Sequence, residues 1–254
     1  MSELAIEVRD LTRSFGGFTA VDHISFDVGV GEVFGFLGAN GAGKTTAIRM
    51  LTGLLQPSSG SARVAGHDVI TETEAVKRRI GYMSQRFSLY DDLTVRENAQ
   101  LYGGLYDVRP REIDERLRAM LTRLGLERAE RSVVRSLPLG WKQKLAFSVA
   151  LLARPRVVFL DEPTGGVDPI TRRQFWEMIY ETAQSGTTVL VTTHYMDEAE
   201  YCDRISIMVD GRIAVMGAPS QLKRDAGVDS IDELFVRLAR PATAGTAGTA
   251  GAAS

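Results

Sequence analysis

The stretch GANGAGKTT, residues 38–46, directly follows the apolar run VFGFL of residues 33–37 and opens the helical pattern TTAIRMLTGLL. It matches the pattern G-x-x-x-x-G-K-[ST], with Gly38, Gly43, Lys44 and Thr45 at the fixed positions. Glycines let the backbone wrap closely around an anion, and the following helix adds the positive end of its dipole. The stretch therefore predicts a phosphate cradle in which Lys44 reaches the β- and γ-phosphates and Thr45 ligates Mg²⁺.

Other short apolar runs predict the sheet around this loop. They are VVFL at 157–160, TVLVTT at 188–193 and ISIMV at 205–209, and helical patterns separate them. Buried runs of this kind are typical of parallel strands covered on both faces. Residues 87–155 read as mostly helical, with Ile113, Leu117, Leu121 and Leu124 at helical spacing. The first thirty residues read as short antiparallel strands. The predicted fold class is α/β: a P-loop NTPase core with a mostly parallel sheet, an N-terminal antiparallel β subdomain and a helical insertion.

Composition excludes several classes of protein. The 254 residues carry a net charge of −2, so no global basic field indicates nucleic acid as a partner. The one cysteine allows no disulfide within the chain, which fits a reducing, cytosolic compartment. No uncharged apolar stretch reaches the length of a membrane span. We expect one domain over residues 1–240. The low-complexity tail of residues 241–254 is expected to be disordered or left over from protein expression.

Two further strand ends carry candidate catalytic side chains. The run VVFL leads into Asp161 and Glu162, beside the predicted phosphate loop. An Asp at this position can hold Mg²⁺ through water, and the adjacent Glu can act as general base on the attacking water. The run TVLVTT leads into His194, at the sheet edge where doubly wound folds bind ligands. His194 is therefore expected to contact the γ-phosphate.

Taken in order along the chain, these motifs resemble the nucleotide-binding subunits of ABC transporters. They are GANGAGKTT, the stretch IGYMSQRFSLYDDLTVREN that contains Gln85, LPLGWKQKL, VVFLDEPTGGVDP and TTHYMDEAEYCDRI, and they span about residues 3–240. The stretch YMSQRFSLYDDLTVRENAQLY and the ending GGVDP resemble the exporter branch, which moves drugs, polysaccharides or other hydrophobic cargo.

The resemblance implies a role for each site residue. Phe15 would stack on adenine, Gln85 would join the Mg²⁺ shell and couple the site to the membrane subunit, Asp168 would lie at a dimer contact, and His194 would be the switch histidine. The remaining ATP contacts would come from the loop residues Gly38, Asn40, Gly41, Gly43, Lys44, Thr45 and Thr46. Thr45, Gln85 and Asp161 would hold Mg²⁺. The implied function is an ATPase that energises a separate membrane-spanning permease from the cytoplasmic face of the membrane, paired with a second ATP-binding cassette.

The stretch LPLGWKQKL, residues 137–145, occupies the position of the family's L-S-G-G-Q signature, which faces the ATP of the other subunit. It departs from that motif at Pro138, Leu139 and Trp141, and only Gly140 of the glycine pair remains. A donor hydroxyl is lost, and Pro138 also lacks an N–H. Leu139, Gly140 and Trp141 would still face the opposite nucleotide through the helix start, with Lys142 as a further candidate phosphate contact.

Several alternatives remain at this point. One is a soluble ABC-type ATPase, although such proteins usually carry two cassettes or a long insertion. Another is a regulatory cassette that binds ATP with weak hydrolysis, which the altered signature favours and Glu162 and His194 oppose. An unrelated P-loop GTPase or kinase would leave the DEP motif unexplained. For the dimer, the intact hydrolytic residues beside an altered turn favour pairing with a second cassette whose signature is intact.

Overall fold

We analysed a computed structural model of the chain, which describes residues 3–85 and 89–239. The tail predicted at residues 241–254 lies outside the described residues, as do residues 86–88 at the start of the predicted helical insertion.

A six-stranded sheet forms the centre of the fold, in the order β10-β9-β3-β8-β7-β6. All neighbouring pairs are parallel except β10 with β9. Its strands are β3 (Val33–Gly38), β6 (Ile80–Met83), β7 (Val157–Asp161), β8 (Thr188–Thr193), β9 (Arg204–Val209) and β10 (Arg212–Gly217). The strands β3, β7 and β8 are buried along their whole length. The predicted apolar runs are therefore strands of one mostly parallel sheet, and the predicted fold class is confirmed.

The N-terminal β subdomain is a four-stranded antiparallel sheet in the order β2-β1-β4-β5. Its strands are β1 (Leu4–Phe15), β2 (Phe18–Gly29), β4 (Ser59–Val64) and β5 (His67–Asp68). The prediction that the first strands are short was wrong, since β1 and β2 each have 12 residues. A register shift between Val8 and Leu11, with Asp10 at φ +48°, lets β1 continue as one long strand through Asp10.

Eight α-helices complete the described part of the chain. They are α1 (Lys44–Leu51), α2 (Thr73–Lys77), α3 (Val95–Leu105), α4 (Pro110–Leu124), α5 (Leu139–Ala150), α6 (Pro169–Gln184), α7 (Pro219–Ala226) and α8 (Ile231–Ala239). Helices α3, α4 and α5 form the predicted helical insertion. Ile113, Leu117 and Leu121 of α4 are buried, as their helical spacing predicts, whereas Leu124 is only partly buried.

The two sheets share a hydrophobic core. Phe26 of β2 stacks on Phe34 of β3, with ring centroids 5.4 Å apart. The loop after β3 lies equally close to the hairpin, because a Cβ atom at Gly43 would lie 2.3 Å from the carbonyl oxygen of Ala20. Gly43 also has φ +104°, a conformation that side chains disfavour. Only glycine therefore fits where the loop of residues 38–46 passes the hairpin.

Candidate active site

The loop of residues 38–46 joins the end of β3 to the start of α1, and its lysine lies over it. Nζ of Lys44 donates hydrogen bonds to the carbonyl oxygens of Gly38 at 2.8 Å and Ala39 at 3.0 Å. Gly43 at the start of α1 has no side chain with which to cap the helix, so the first N–H groups of the helix are suited to an anion. The loop opens on a cavity of about 440 Å³, lined by Phe15, Phe18, Ala20, Asn40, Gly41, Gly43, Lys44, Thr45, Thr46, Gln85 and Glu162.

Burial lowers the pKa of Lys44, because desolvation penalises its charged form, while the carboxylates of Glu162 and then Asp161 act in the opposite direction. Lys44 is 4% exposed. A buried ammonium with so little water around it gains most from a strongly anionic ligand. Its position therefore suits phosphate oxygens in the adjoining cavity.

Asp161 ends β7 and meets the hydroxyls of two threonines. Its Oδ1 accepts hydrogen bonds from Thr192 at 2.7 Å and from Thr45 at 3.2 Å. Its Oδ2 is buried and has no hydrogen-bond partner in the described part of the chain. A buried carboxylate oxygen without a donor, next to a threonine hydroxyl at a phosphate loop, fits the oxygen ligands that Mg²⁺ prefers. The residues present therefore fit a magnesium site.

Glu162 lies where Lys44, Gln85 and His194 converge. Nε2 of Gln85 donates a hydrogen bond to its Oε2 at 2.8 Å. Nζ of Lys44 lies 3.6 Å from its Oε1, and Nδ1 of His194 lies 3.2 Å from its Oε2, although that nitrogen is not aligned for a hydrogen bond. The backbone of Glu162 has φ +50°, and its N–H donates to the carbonyl oxygen and the hydroxyl of Thr192. Glu162 is thus held in a conformation that is rare for a non-glycine residue.

The predicted adenine contact, Phe15, lies at the rim of the cavity with 47% of its surface exposed. The guanidinium of Arg13 covers its ring at 4.6 Å from the centroid. Phe18 pairs with Phe15 across the hairpin turn and is 63% exposed. The sequence analysis missed Phe18; the signal was the pattern F-G-G-F, which brings two aromatic residues to the same hairpin end.

The turn at residues 138–141 begins α5 beside Glu162 and His194 of its own chain. Leu139 lines a second cavity of about 350 Å³ together with Glu162 and His194. Leu139 and Trp141 are 40% and 42% exposed. Gly140 is packed against α6, since a Cβ atom there would lie 2.7 Å from Cγ2 of Thr171.

Two residues near this turn have partners that the sequence did not indicate. Asp168 caps α6, with its Oδ1 accepting from the N–H groups of Ile170 and Thr171 and its Oδ2 from the Thr171 hydroxyl. The role of Asp168 at a dimer contact stays a prediction. Lys142 forms an ion pair with Asp91 at 3.0 Å, and its contact with phosphate stays a prediction.

Gln143 and Thr192 also support the site, and the sequence analysis missed both. Nε2 of Gln143 donates to the carbonyl oxygen of Gly165 at 2.9 Å and so ties α5 to the segment after Glu162. Thr192 contacts both Asp161 and the N–H of Glu162. The two threonines directly before His194 were the signal in the sequence for a polar contact. The partners of Thr192 could not be predicted, because they lie at the end of the neighbouring strand β7.

Comparison with known proteins agrees with this geometry. The family model described as ABC transporter matches residues 21–165. The chain belongs to the ABC transporter family. It carries the family's ATP-binding ATPase domain, a nucleotide-binding cassette. The cassette is 44% identical over 241 residues to the probable multidrug ABC transporter ATP-binding protein YbhF of Escherichia coli, covering 93% of this chain but 42% of that relative. The chain thus spans less than half the length of that relative.

Other relatives match the cassette over more of their own length. It is 40% identical to the daunorubicin resistance ATP-binding protein DrrA3 of Streptomyces coeruleorubidus, covering 91% of this chain and 74% of that protein. A solved structure described as the ATP-binding subunit of an ABC transporter superimposes with a TM-score of 0.84 at 30% identity, covering 93% of the cassette and all of that chain. Among the described residues of the cassette, no helix combines the length and the apolarity that a membrane span needs.

Proposed function

We propose that this chain hydrolyses Mg²⁺-ATP with Glu162 as general base, and that the hydrolysis drives export through a separate membrane-spanning subunit. The observation that carries the proposal is the position of the Glu162 carboxylate, between Lys44 of the phosphate loop, Gln85 and His194. The drug-resistance names of the relatives support export of hydrophobic compounds. We place the working chain on the cytoplasmic face of the membrane.

The phosphates would lie against the loop of residues 38–46. Lys44 and the free N–H groups at the start of α1 supply positive charge there, and Phe15 at the rim would hold the base. Thr45, Asp161 and Gln85 would hold Mg²⁺, which when bound neutralises charge on the β- and γ-phosphates. The orphaned Oδ2 of Asp161 supports this assignment.

Proton transfer would fall to Glu162. A carboxylate held at the edge of a phosphate cavity can accept a proton from a water that attacks the γ-phosphate. His194, beside Oε2 of the same carboxylate, would orient that water and the γ-phosphate. The amide of Gln85 donates to Oε2 at 2.8 Å and would compete with the attacking water for that oxygen. A shift of Gln85 off Glu162 would leave Oε2 to the water, and this would couple catalysis to the segment after β6.

The test is the variant Glu162→Gln, which keeps the size of the side chain but removes the base. We expect ATP binding to persist and steady-state turnover to fall by about 10² or more, in line with the loss of a general base. Glu177→Gln is the matched control, because Glu177 is an exposed glutamate of α6 whose pairing is with Arg173 of the same helix. Near-normal turnover in Glu162→Gln would refute the assignment.

A groove beside the helical insertion suits a membrane partner. It has a volume of about 340 Å³ and includes Leu54, Tyr82, Tyr102 and Leu105. Leu105 is 69% exposed and Leu54 is 58% exposed, and both border the same groove, so together they present apolar surface that a partner could cover. Tyr82 lies on β6, three residues before Gln85. We propose that a short helix of the permease packs here, so that its movement reaches Gln85 and Glu162.

Docking can be tested by placing a charge in the groove. We expect Leu105→Glu to release the chain from membranes that contain its permease while leaving ATP binding intact. Val30→Glu is the control, because Val30 is also an exposed apolar residue, at 51%, but lies outside the groove, in the turn between β2 and β3. Equal retention of both variants in the membrane fraction would contradict the proposal.

One alternative has a specific observation in its favour. The signature turn lacks a serine hydroxyl and has a proline in its place, so a cassette with weak hydrolysis, acting as a regulatory partner, is the second candidate. An ATPase assay of the wild-type chain, alone and with a second cassette, separates the two. Turnover that stays at the level of Glu162→Gln in both settings would favour the regulatory role.

A further inference from the structure

Glu198 is a fully buried carboxylate that has no assigned role in this site. It lies in the 3-10 helix Met196–Tyr201, four residues after His194, and is 0% exposed. It lines neither cavity at the active site, so it does not touch nucleotide. Burying a charged carboxylate is costly unless its partners compensate, and its Oε2 has no hydrogen-bond partner among the residues described. A buried carboxylate with this energetic cost is expected to have a structural or functional role.

The compensating partners come from two other elements. Oε1 of Glu198 accepts a hydrogen bond at 2.6 Å from the hydroxyl of Thr164, which is itself 1% exposed. Nε of Arg172, on the first turn of α6, lies 3.8 Å from the same oxygen. The guanidinium of Arg172 also covers the ring of Tyr195 at 4.4 Å. Three chain segments therefore meet at one buried carboxylate.

These segments are the ones that carry the hydrolytic residues. Thr164 follows Glu162 by two positions, in the segment that leaves β7. Glu198 and Tyr195 belong to the segment that leaves β8 with His194. Glu162 has φ +50°, a backbone conformation that is unfavourable for a non-glycine residue, so contacts around it must hold it there. The bond between Thr164 and Glu198 fastens the chain just after that strained residue.

We propose that Glu198 is a positioning residue: by holding Thr164 and Arg172, it fixes the distance between Glu162 and His194 that hydrolysis requires. The proposal rests on the proposed function, since it presumes that Glu162 is the base. A misplacement of about 1 Å can cost about 10²-fold in rate, so a residue that never touches substrate can still control turnover.

The test uses two variants of Thr164 that separate shape from hydrogen bonding. Thr164→Val keeps the shape and removes the hydroxyl, whereas Thr164→Ser keeps the hydroxyl and removes a methyl group. We expect kcat to fall about ten-fold or more in Thr164→Val, with KM for ATP changed less than about two-fold, and to stay near wild type in Thr164→Ser. Should Thr164→Val fail to fold, Thr164→Ala takes its place, because it relieves any crowding and also lacks the hydroxyl.

A matched control distinguishes positioning from loss of stability. Thr182 is a buried threonine of α6 whose hydroxyl donates at 2.8 Å to the carbonyl oxygen of Met178 in the same helix. Thr182→Val removes a buried hydrogen bond to a neutral carbonyl oxygen, away from the nucleotide cavities. We expect its melting temperature to fall while its kcat stays normal, which would show that losing a buried hydrogen bond does not by itself lower turnover.

A second readout does not depend on turnover. The chain has three histidines, so the ring signals of His194, His23 and His67 can be followed by NMR and assigned with His194→Gln. We expect Thr164→Val to shift the signal of His194 alone, and Thr164→Ser and Thr182→Val to leave it in place. The proposal is overturned if Thr164→Val keeps both the wild-type kcat and the His194 signal, or if Thr164→Ser or Thr182→Val loses kcat equally. If the wild type hydrolyses no ATP, the proposed function fails, and the His194 signal alone then decides this inference.

Discussion

Lys142, on the first turn of α5, is paired with Asp91 in the segment that follows Gln85: Nζ and Oδ1 are 3.0 Å apart. The backbone reinforces the link, since the N–H of Arg135 donates to the carbonyl oxygen of Asp91 and the N–H of Val134 to that of Leu93. Residues 91–93 are thus linked to the start of α5 and to the residues just before it. Movement of one is expected to carry the other.

The first prediction concerns this pair. We expect Asp91→Asn and Lys142→Gln each to lower the free energy of unfolding, and the double variant to cost less than their sum by about 0.5–1 kcal/mol, because Asp91 is half exposed and the pair is partly screened. Urea unfolding of the four proteins measures the difference. If Lys142 acted on phosphate instead, Lys142→Gln would lower turnover while Asp91→Asn would leave it unchanged.

The second prediction concerns Lys44, whose pKa burial lowers below its usual 10.5. Between that lowered value and 10.5, the unfolded chain binds more protons than the folded chain, so this residue makes the nucleotide-free protein more stable as the pH rises through that range. ATP binding should raise the pKa again and take up a proton there. Calorimetry of ATP binding in buffers of different ionisation enthalpy measures the uptake.

The control for that measurement is Lys44→Met, which replaces the ammonium with an apolar chain of similar length. It should lose tight ATP binding, because no charge faces the phosphates, and it should lose the extra rise in stability towards pH 10.5. A Lys44→Met protein whose stability follows the same alkaline curve as the wild type would show that another group titrates.

The third prediction concerns the base of the nucleotide. Stacking on an aromatic ring is worth about 1–3 kcal/mol, so Phe15→Ala should weaken ATP binding by about 5- to 150-fold. Phe15→Tyr should retain affinity. Phe18→Ala is the comparison, because Phe18 borders the same cavity. Titration with a fluorescent ATP analogue measures all three. If Phe18→Ala lowers ATP affinity strongly and Phe15→Ala does not, the ring that stacks on the base is Phe18 and the assignment to Phe15 is wrong.

The fourth prediction concerns the signature turn. If two copies of this chain pair, both nucleotides would face Pro138 and Leu139, and the purified chain alone should turn over slowly. The double variant Pro138→Ser with Leu139→Gly should then gain about ten-fold or more, since a charge-assisted hydrogen bond is worth about 1.5–3 kcal/mol. Pro138→Ala is the control, because it restores the N–H but not the hydroxyl. Vigorous turnover of the unmodified chain, with no gain in the double variant, would show that the turn is competent as it stands.

The sequence predicts those features that depend on a short stretch of chain. The strands β3, β7 and β8 are buried on both faces, so their apolar runs mark them clearly, and the loop before Lys44 has a fixed pattern. Contacts between distant segments gave no such signal. Gln85 meets Glu162 across 77 positions, and Thr164 meets Glu198 across 34. These pairs form only because neighbouring strands end at the same edge of the sheet.

Gly140 is a motif position whose glycine can be explained either by nucleotide contact or by helix packing. A Cβ atom at Gly140 would lie 2.7 Å from Cγ2 of Thr171, whose hydroxyl is held by Asp168 at 2.6 Å. Any chain that packs α5 on α6 in this way must keep a glycine there, even one that has stopped hydrolysing ATP. The presence of Gly140 is therefore explained by packing and is not evidence that the turn is catalytically competent. Leu139 and Trp141 are exposed and do not have to meet that packing requirement. Substitutions at these two positions can therefore change how the turn contacts nucleotide without disturbing the contact between α5 and α6.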